Sequence, residues 1–599
     1  MNASVRIIDD NSCLFSVWAP ERENIVLHIV HPYEQKIRMK KDEDGYFSST
    51  VSDVYGGCRY FYRLDDKDIP DPASHFQPEG VHGPSQVINH TAFRWTDNSW
   101  RGIPQRDLIM YEIHVGTFTN EGTFDAIIPL LDEISETGIN ALELMPVCQF
   151  PGSRNWGYDG VFPYSVQNSY GGPEGLKRLV DASHSKGIAV FLDVVYNHLG
   201  PEGNYLGLFG PYFTDKYRVP WGRAINLDEA WCDGVREYFS CNPCHWFANY
   251  HIDGLRADAI HMIFDSSAIH FWELTRLKIK QMEDKMGRRF HFIAESDFNS
   301  PRVVKPLALG GFEFDAQWLD DFHHTLYALL NSDGKSRYED FSSVEQLARA
   351  YTDGFVHAGE HMKFRKRKHG ASSAGIPGEK FVVFNQNHDQ IGNRVMGERL
   401  SVLVGLDKLK IAAAAMLLSP YIPLIFMGEE YGEDNPFLYF ISHSDEDLIK
   451  AVQEGRKKEF KDYKWKVEPP DPIDESTFSK SKITWQKRYS GNHSVLLDWH
   501  RQLISLRRSR PALKNTNRNG IFVYVVDSLG FILLRRSEDE KEHILCFFNL
   551  SEEKKTFIIS AQSGSWIKIL DSGDAAPQEI RAGENLDTNP STVFIYCNK

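Results

Sequence analysis

The chain has 599 residues, 42% of them hydrophobic and 25% charged, enough for a large core and more than one domain. Its 82 acidic against 67 basic residues give a net charge of -15, and its one dense basic run, KFRKRKHG at 363–370, is short and set in mixed sequence. That excludes a nucleic-acid surface and reads as a solvated charge run.

The amino-terminal MNASVRIIDDNS lacks a basic start followed by an apolar core, so no secretory signal is expected and the cytoplasm is the default location. From residue 1 to about 95, short alternating runs such as CLFSVWAP, NIVLHIV and CRYFYRL are separated by turn residues, the texture of a β-sandwich. A proline-rich stretch, IPDPASHFQPEGVHGP, then leads toward the next unit. Between 96 and 510, strands alternate with helices: LIMYEIHV, INALELMPV, IAVFLDVV, IDGLRAD, FHFIAES, FEFDAQW, FVVFNQNHD and IPLIFMG. Eight such βα units predict an α/β fold, a (β/α)8 TIM barrel. The last strand is preceded by the longest apolar stretch, IAAAAMLLSPYIPLIFMG, which two prolines break; it reads as a buried helix entering a strand, with no membrane span. From 511 to 599, GIFVYVV, GFILLRR, HILCFFNL and STVFIYC predict a C-terminal β-sandwich behind the N-terminal one and the barrel.

Three of the barrel runs end in an acid: Asp258 after HIDGLRA, Glu295 after FHFIA and Asp389 in FNQNHDQIGNR. Strand C-termini are where barrel active sites are built. One acid at a strand end is ordinarily a cap or a solvated charge; three together match the needs of glycosidic bond cleavage with retention. That reaction takes an ionised carboxylate as nucleophile and a protonated one about 5 Å away to protonate the leaving oxygen. Arg256 lies two residues before Asp258, on the same side of the strand, where it can hold that carboxylate ionised. The apolar run before Glu295 can raise its pKa toward that of an acid. Asp193, Asn197 and His198 follow the third strand in DVVYNH, and His388 adjoins Asp389. In NWGYDG, Tyr158 offers an aromatic face to a sugar and Trp156 carries less weight, since aromatics make up 13% of the chain.

These motifs resemble the α-amylase family of glycoside hydrolases, and nearly the whole chain takes part. Within it, LDVVYNHLGPEGNYL at 192–206, IAESDFNSPRVV at 293–304, DAQWLDDFHHTLYALL at 315–330 and FNQNHDQIGNR at 384–394 are similar to its trehalohydrolase branch, as are EGRKKEF and PPDPIDESTFSKSKITW. The resemblance implies Asp258 as nucleophile, Glu295 as acid/base and Asp389 as transition-state stabiliser. It implies sugar contacts from Tyr158, Asp193, His198, Arg256 and His388, and a carbohydrate-binding-like role for the front sandwich. The implied substrate is maltooligosyl trehalose, an α-glucan ending in trehalose, with a maltooligosyl trehalose synthase as functional partner; glycogen branching or debranching is the alternative. Asp297 and Asn299, with Asp320 or Asp321, are expected to read the bent trehalose linkage, against the plainer reading that they cap loops. Neither a cofactor nor a metal is expected. The eight cysteines read as reduced thiols, and Cys241 and Cys244 as packing, although Pro243 between them is expected to disturb the helix there.

Overall fold

Eight parallel strands close into a barrel: Met110–Ile113, Ala141–Leu144, Ala189–Val194, Gly254–Ala257, His291–Ala294, Ala316–Trp318, Phe381–Phe384 and Ile422–Phe426. Every run read as a barrel strand forms one. The computed structural model describes residues 4–331, 338–461, 468–559, 564–573 and 575–599. Met1–Ala3 of the amino-terminal run therefore lie outside the described residues.

The barrel interior is apolar below and charged above. Met110, Ala141, Ala189, Phe191, Ile293, Ala316, Val382 and Leu424 pack against one another in a buried cluster. Moving two residues along a strand keeps a side chain on the same face. The next inward layer therefore holds Glu112, Glu143, Asp193 and Trp318, and Arg256 lies beside Asp193 in register. Gly254 makes this stacking possible, because a Cβ there would fall 2.3 Å from the ring of Phe191.

Before the barrel, Ser12–Trp18 and Tyr46–Ser52 centre one antiparallel sheet and Val26–His31 and Arg59–Leu64 centre another. Phe15, Val17, Leu27, Tyr60 and Tyr62 are buried in the same core. Behind it, Ile521–Asp527, Gly530–Arg536, His543–Asn549 and Thr592–Asn598 lie side by side in a six-stranded sheet, with Lys555–Ile558 and Asn585–Thr588 forming a second pair. The Pro243 expectation is corrected: one helix runs from Cys232 to Tyr250 straight through it.

At the foot of the barrel a buried knot of charge ties the chain before strand one to the barrel. His184 bridges Asp97 (2.8 Å) and Asp253 (2.9 Å), His251 also meets Asp97 (2.8 Å), and the Trp100 indole donates to Asp253 (2.7 Å). Trp100 stacks on His184 and Trp95 on His251. Burial lowers the His184 pKa, but hydrogen bonds to the two aspartates outweigh it and raise the value overall. Burial likewise opposes ionisation of Asp97 and Asp253, yet both end below the usual carboxylate range because of the histidines.

The signs fix a stability window. A raised histidine contributes fully below its unfolded pKa of about 6.5 and loses that contribution as pH rises through the folded value. Depressed aspartates contribute above about 3.9 and lose it as pH falls through their folded values. The knot should therefore stabilise most between about pH 4 and 6.5. His184→Asn removes the bridge but leaves Asp97 to His251 and Asp253 to Trp100, the Val190 amide and Arg288, so it is expected to cost about 1–3 kcal/mol in that window. The gap in Tm from wild type should narrow as the pH is raised past it; a constant gap across pH would refute the assignment.

Candidate active site

Backbone pairing continues one residue past the strands and fixes both lead acids. The Asp258 amide donates to the Val194 carbonyl (3.0 Å) and the Glu295 amide to that of Ala257 (3.0 Å). Ala259 then turns in the left-handed region at φ 38°, a conformation that costs a non-glycine residue about 1–3 kcal/mol. The turn aims its amide at Glu295 Oε2, 2.6 Å away.

Arg256 is the hub. Its Nη1 donates to Asp258 Oδ1 at 2.8 Å and to Asp193 Oδ2 at 2.7 Å, and its Nη2 lies 3.3 Å from Glu295 Oε2. The guanidinium lies over the ring of Trp318, 4.2 Å from its centre. Asn197 Nδ2 donates to Asp258 Oδ2 at 2.8 Å and to its carbonyl at 2.9 Å.

The two acids are driven to opposite protonation states. Burial raises both pKa values, but at Asp258 the charge of Arg256, with His198 and the Asn197 hydrogen bond, outweighs it and holds the carboxyl below its ordinary value. At Glu295 burial wins over Arg256, and the neighbouring Asp258 and Asp389 add to it, so the carboxyl sits well above the usual range. One ionised and one protonated carboxyl on a single guanidinium can act as nucleophile and acid. Asp389, by contrast, is exposed to the cleft and accepts a hydrogen bond from Asn393.

A relay runs from the first strand to this hub. Glu112 accepts from the His388 amide (3.0 Å) and from His388 Nδ1. His388 Nε2 meets the Tyr158 hydroxyl at 2.8 Å, and that hydroxyl lies 2.5 Å from Asp193 Oδ2. Burial opposes charge on His388, but Glu112 outweighs it and raises its pKa, which favours both ring nitrogens as donors. In Asp193 burial pushes the carboxyl up to about 6 against the pull of Arg256.

Other predicted residues take different parts. His198 spends its ring nitrogens on the protein, Nε2 on the Tyr158 carbonyl (3.0 Å) and Nδ1 on Asn197, so the sugar-contact expectation gives way to a structural one. Its face stacks on Trp221, which is 51% exposed at the tip of the hairpin Phe213–Val219/Gly222–Ile225. Trp156 is buried and donates to the Leu438 carbonyl (2.8 Å).

Asp321 fits the plainer, loop-capping reading. Its buried Oδ2 accepts from the Val356 amide (2.7 Å), the His357 amide (3.3 Å) and Asn299 Nδ2 (2.9 Å), so Asp321 and Asn299 pin a loop. Asp320 faces the acids instead: burial pushes its carboxyl up to about 7, with Asp389 and Asp297 contributing. Asp297 stands at the rim in a two-pronged pair with Arg365. The basic run at 363–370 is thus more than a solvated face, since Arg365 reaches the cleft and Phe364 beside it is 69% exposed.

Sequence reading passed over Glu112 and Glu143. Glu143 is buried with neither carboxyl oxygen paired among the described residues, and burial next to Glu112 drives its pKa well above normal. The signal was available: both are charges inside strands otherwise read as apolar on both faces.

A family model described as "Alpha amylase, catalytic domain" matches residues 87–208. The malto-oligosyltrehalose trehalohydrolase of Saccharolobus solfataricus is 46% identical over 504 residues, 84% of this chain and 86% of the relative. That of Mycobacterium tuberculosis is 39% identical over 542 residues, 88% of this chain and 91% of the relative. A solved structure titled as a putative alpha amylase from Salmonella typhimurium superposes with a TM-score of 0.90 at 35% identity, covering 100% of this chain and 99% of its own. A 1,4-alpha-glucan branching enzyme from Pseudoalteromonas atlantica is more distant, 26% identical over 66% of this chain.

Proposed function

The chain belongs to the malto-oligosyltrehalose trehalohydrolases of the α-amylase family, and on that premise we infer that it hydrolyses the α-1,4 bond next to the terminal trehalose of maltooligosyl trehalose, releasing trehalose and a maltooligosaccharide. We assign Asp258 as nucleophile, Glu295 as acid/base and Asp389 as the group that holds sugar hydroxyls in the distorted transition state. The observation that carries these roles is the Arg256 guanidinium shared by Asp258 and Glu295. Adjacent nitrogens of one planar group favour the close carboxyl spacing of about 5 Å found in retaining enzymes.

In this mechanism Asp258 attacks the anomeric carbon while Glu295 gives its proton to the departing trehalose oxygen. Glu295, now ionised, takes a proton from water as that water opens the glycosyl–Asp258 bond, and the starting configuration is restored. Tyr158 presents its ring as a platform to the sugar at the cleaved bond, and His388, Glu112 and Asp193 hold it in place. On the leaving-group side, Asp297, Asp320 and Arg365 are the polar groups assigned to read the trehalose unit.

Trehalose-capped substrate requires an enzyme that makes the cap, so we pair the chain with a maltooligosyl trehalose synthase. Eight free thiols support a reducing, cytoplasmic setting. We draw the domains at 1–95, 96–510 and 511–599. Proton NMR with maltotriosyl trehalose tests the reading: trehalose and maltotriose should form, with the new reducing end first appearing as the α-anomer. The kcat/KM should exceed that for maltopentaose at least ~100-fold, a gap of about 2.7 kcal/mol. An initial β-anomer would remove Asp258 from its role, and equal rates or new α-1,6 branches would move the chain to another activity.

A further inference from the structure

A second cavity, of about 550 Å³, lies between the loop after barrel strand five, His270 and the hairpin His361–Met362/Arg367–Lys368. Its lining contains Arg302, Arg367, Lys368, His270 and His369 and no carboxylate, although the chain carries a net charge of -15. Cations on an acidic protein ordinarily find acids. Here Arg302 gives its Nε hydrogen bond to the Gly310 carbonyl (3.3 Å) and covers Phe312, 4.4 Å from the ring centre. Arg367 and Lys368 have no side-chain hydrogen bond or ion pair among the described residues.

His369 is the more telling group. It is only 6% exposed, lines the cavity two residues after Arg367, and its ring has no hydrogen-bond partner among the described residues. Burial first, and then Arg365, push its pKa down to about 4. Its nitrogens are not among the fully enclosed unpaired atoms, so the unused donor is open to an occupant of the cavity. Across the cavity Phe298 is 44% exposed, edge-on to His261, and Ser300 sits beside it.

We propose that this cavity binds a small phosphorylated sugar, with Arg302, Arg367 and His369 on the phosphoryl oxygens and the ring of Phe298 under the apolar face of the sugar. Guanidinium groups match phosphate oxygens in geometry and charge, and an aromatic face suits a pyranose. Phe298 and Ser300 belong to the loop that begins at Glu295, and Asp297 in the same loop grips Arg365 of the hairpin. An occupant of the cavity therefore braces the segment that carries the acid/base.

Calorimetric titration of the full chain tests this at fixed ionic strength, with maltotriose present throughout to occupy the cleft. The probes are glucose 6-phosphate, inorganic phosphate and glucose. Glucose 6-phosphate should bind with a Kd of about 1 mM or tighter, inorganic phosphate at least ~10-fold more weakly, and glucose not at all. The double variant R302Q/R367Q should lose at least ~10-fold in glucose 6-phosphate affinity while staying folded by circular dichroism and hydrolysing maltotriosyl trehalose at the wild-type rate. F298A should weaken glucose 6-phosphate and leave inorganic phosphate as it was. No heat with either phosphate at about 10 mM, or full affinity in the double variant, would overturn the site. Equal affinity for the two phosphates, unaffected by F298A, would overturn the sugar half of the proposal.

Discussion

Asp258→Asn is expected to lower kcat on maltotriosyl trehalose by about 10⁴-fold or more, because it removes the only group assigned to form the covalent intermediate. The fold should survive. Arg256 keeps Asp193 and Glu295 as partners, and the asparagine retains an oxygen that can accept from Asn197 or Arg256. Binding of maltotriose, measured by calorimetry, should change little, since the shape of the pocket is unaltered. More than about a tenth of wild-type turnover in the purified variant would end the assignment.

Glu295→Gln carries the second large effect, and it depends on the leaving group. On maltotriosyl trehalose kcat/KM should fall by about 10²–10⁴-fold, the usual range for losing a general acid. On α-maltosyl fluoride, whose fluoride departs without a proton from the enzyme, the same ratio should fall by less than about 10-fold, because kcat/KM reports steps only through formation of the glycosyl-enzyme. The pH profile supplies an independent reading. Asp258 must be ionised, so activity falls as pH drops through its depressed value; Glu295 must be protonated, so activity falls as pH rises through its elevated one. The variant should lose the alkaline limb and keep the acid one. Equal losses on both substrates would show that Glu295 acts by shape or charge rather than as an acid.

The barrel was legible because parallel strands buried on both faces leave unbroken apolar runs, and the candidate acids terminate such runs. Arg256 and Asp258 were readable as a pair from the two-residue repeat alone. Rim geometry was not, since it depends on where long loops fold back. Nothing in the sequence between Asp320 and Asp321 says which carboxyl turns inward; the Val356 and His357 amides decide it from a distant segment. For the same reason Arg365 looked like one of many solvated cations until the hairpin brought it against Asp297. Glu112 and Glu143 were missed for a different reason, because an acid within a strand draws less notice than one at its end. Pro243 shows the reverse error, a local rule overridden by packing along a helix whose Tyr238, Phe239, Trp246 and Phe247 are all buried.

The knot around His184 also limits where the polypeptide can be cut. Trp95, Asp97 and Trp100 precede the first barrel strand, yet they fill space against His251, His184 and Asp253. A truncated chain beginning at residue 105 would keep all eight barrel strands and still leave Asp253 and two histidines facing solvent at the foot of the barrel. The catalytic unit cannot be borrowed as a bare cylinder: protease nicking in 95–100 should unravel it, and any graft of its barrel onto another front module must carry this short segment along.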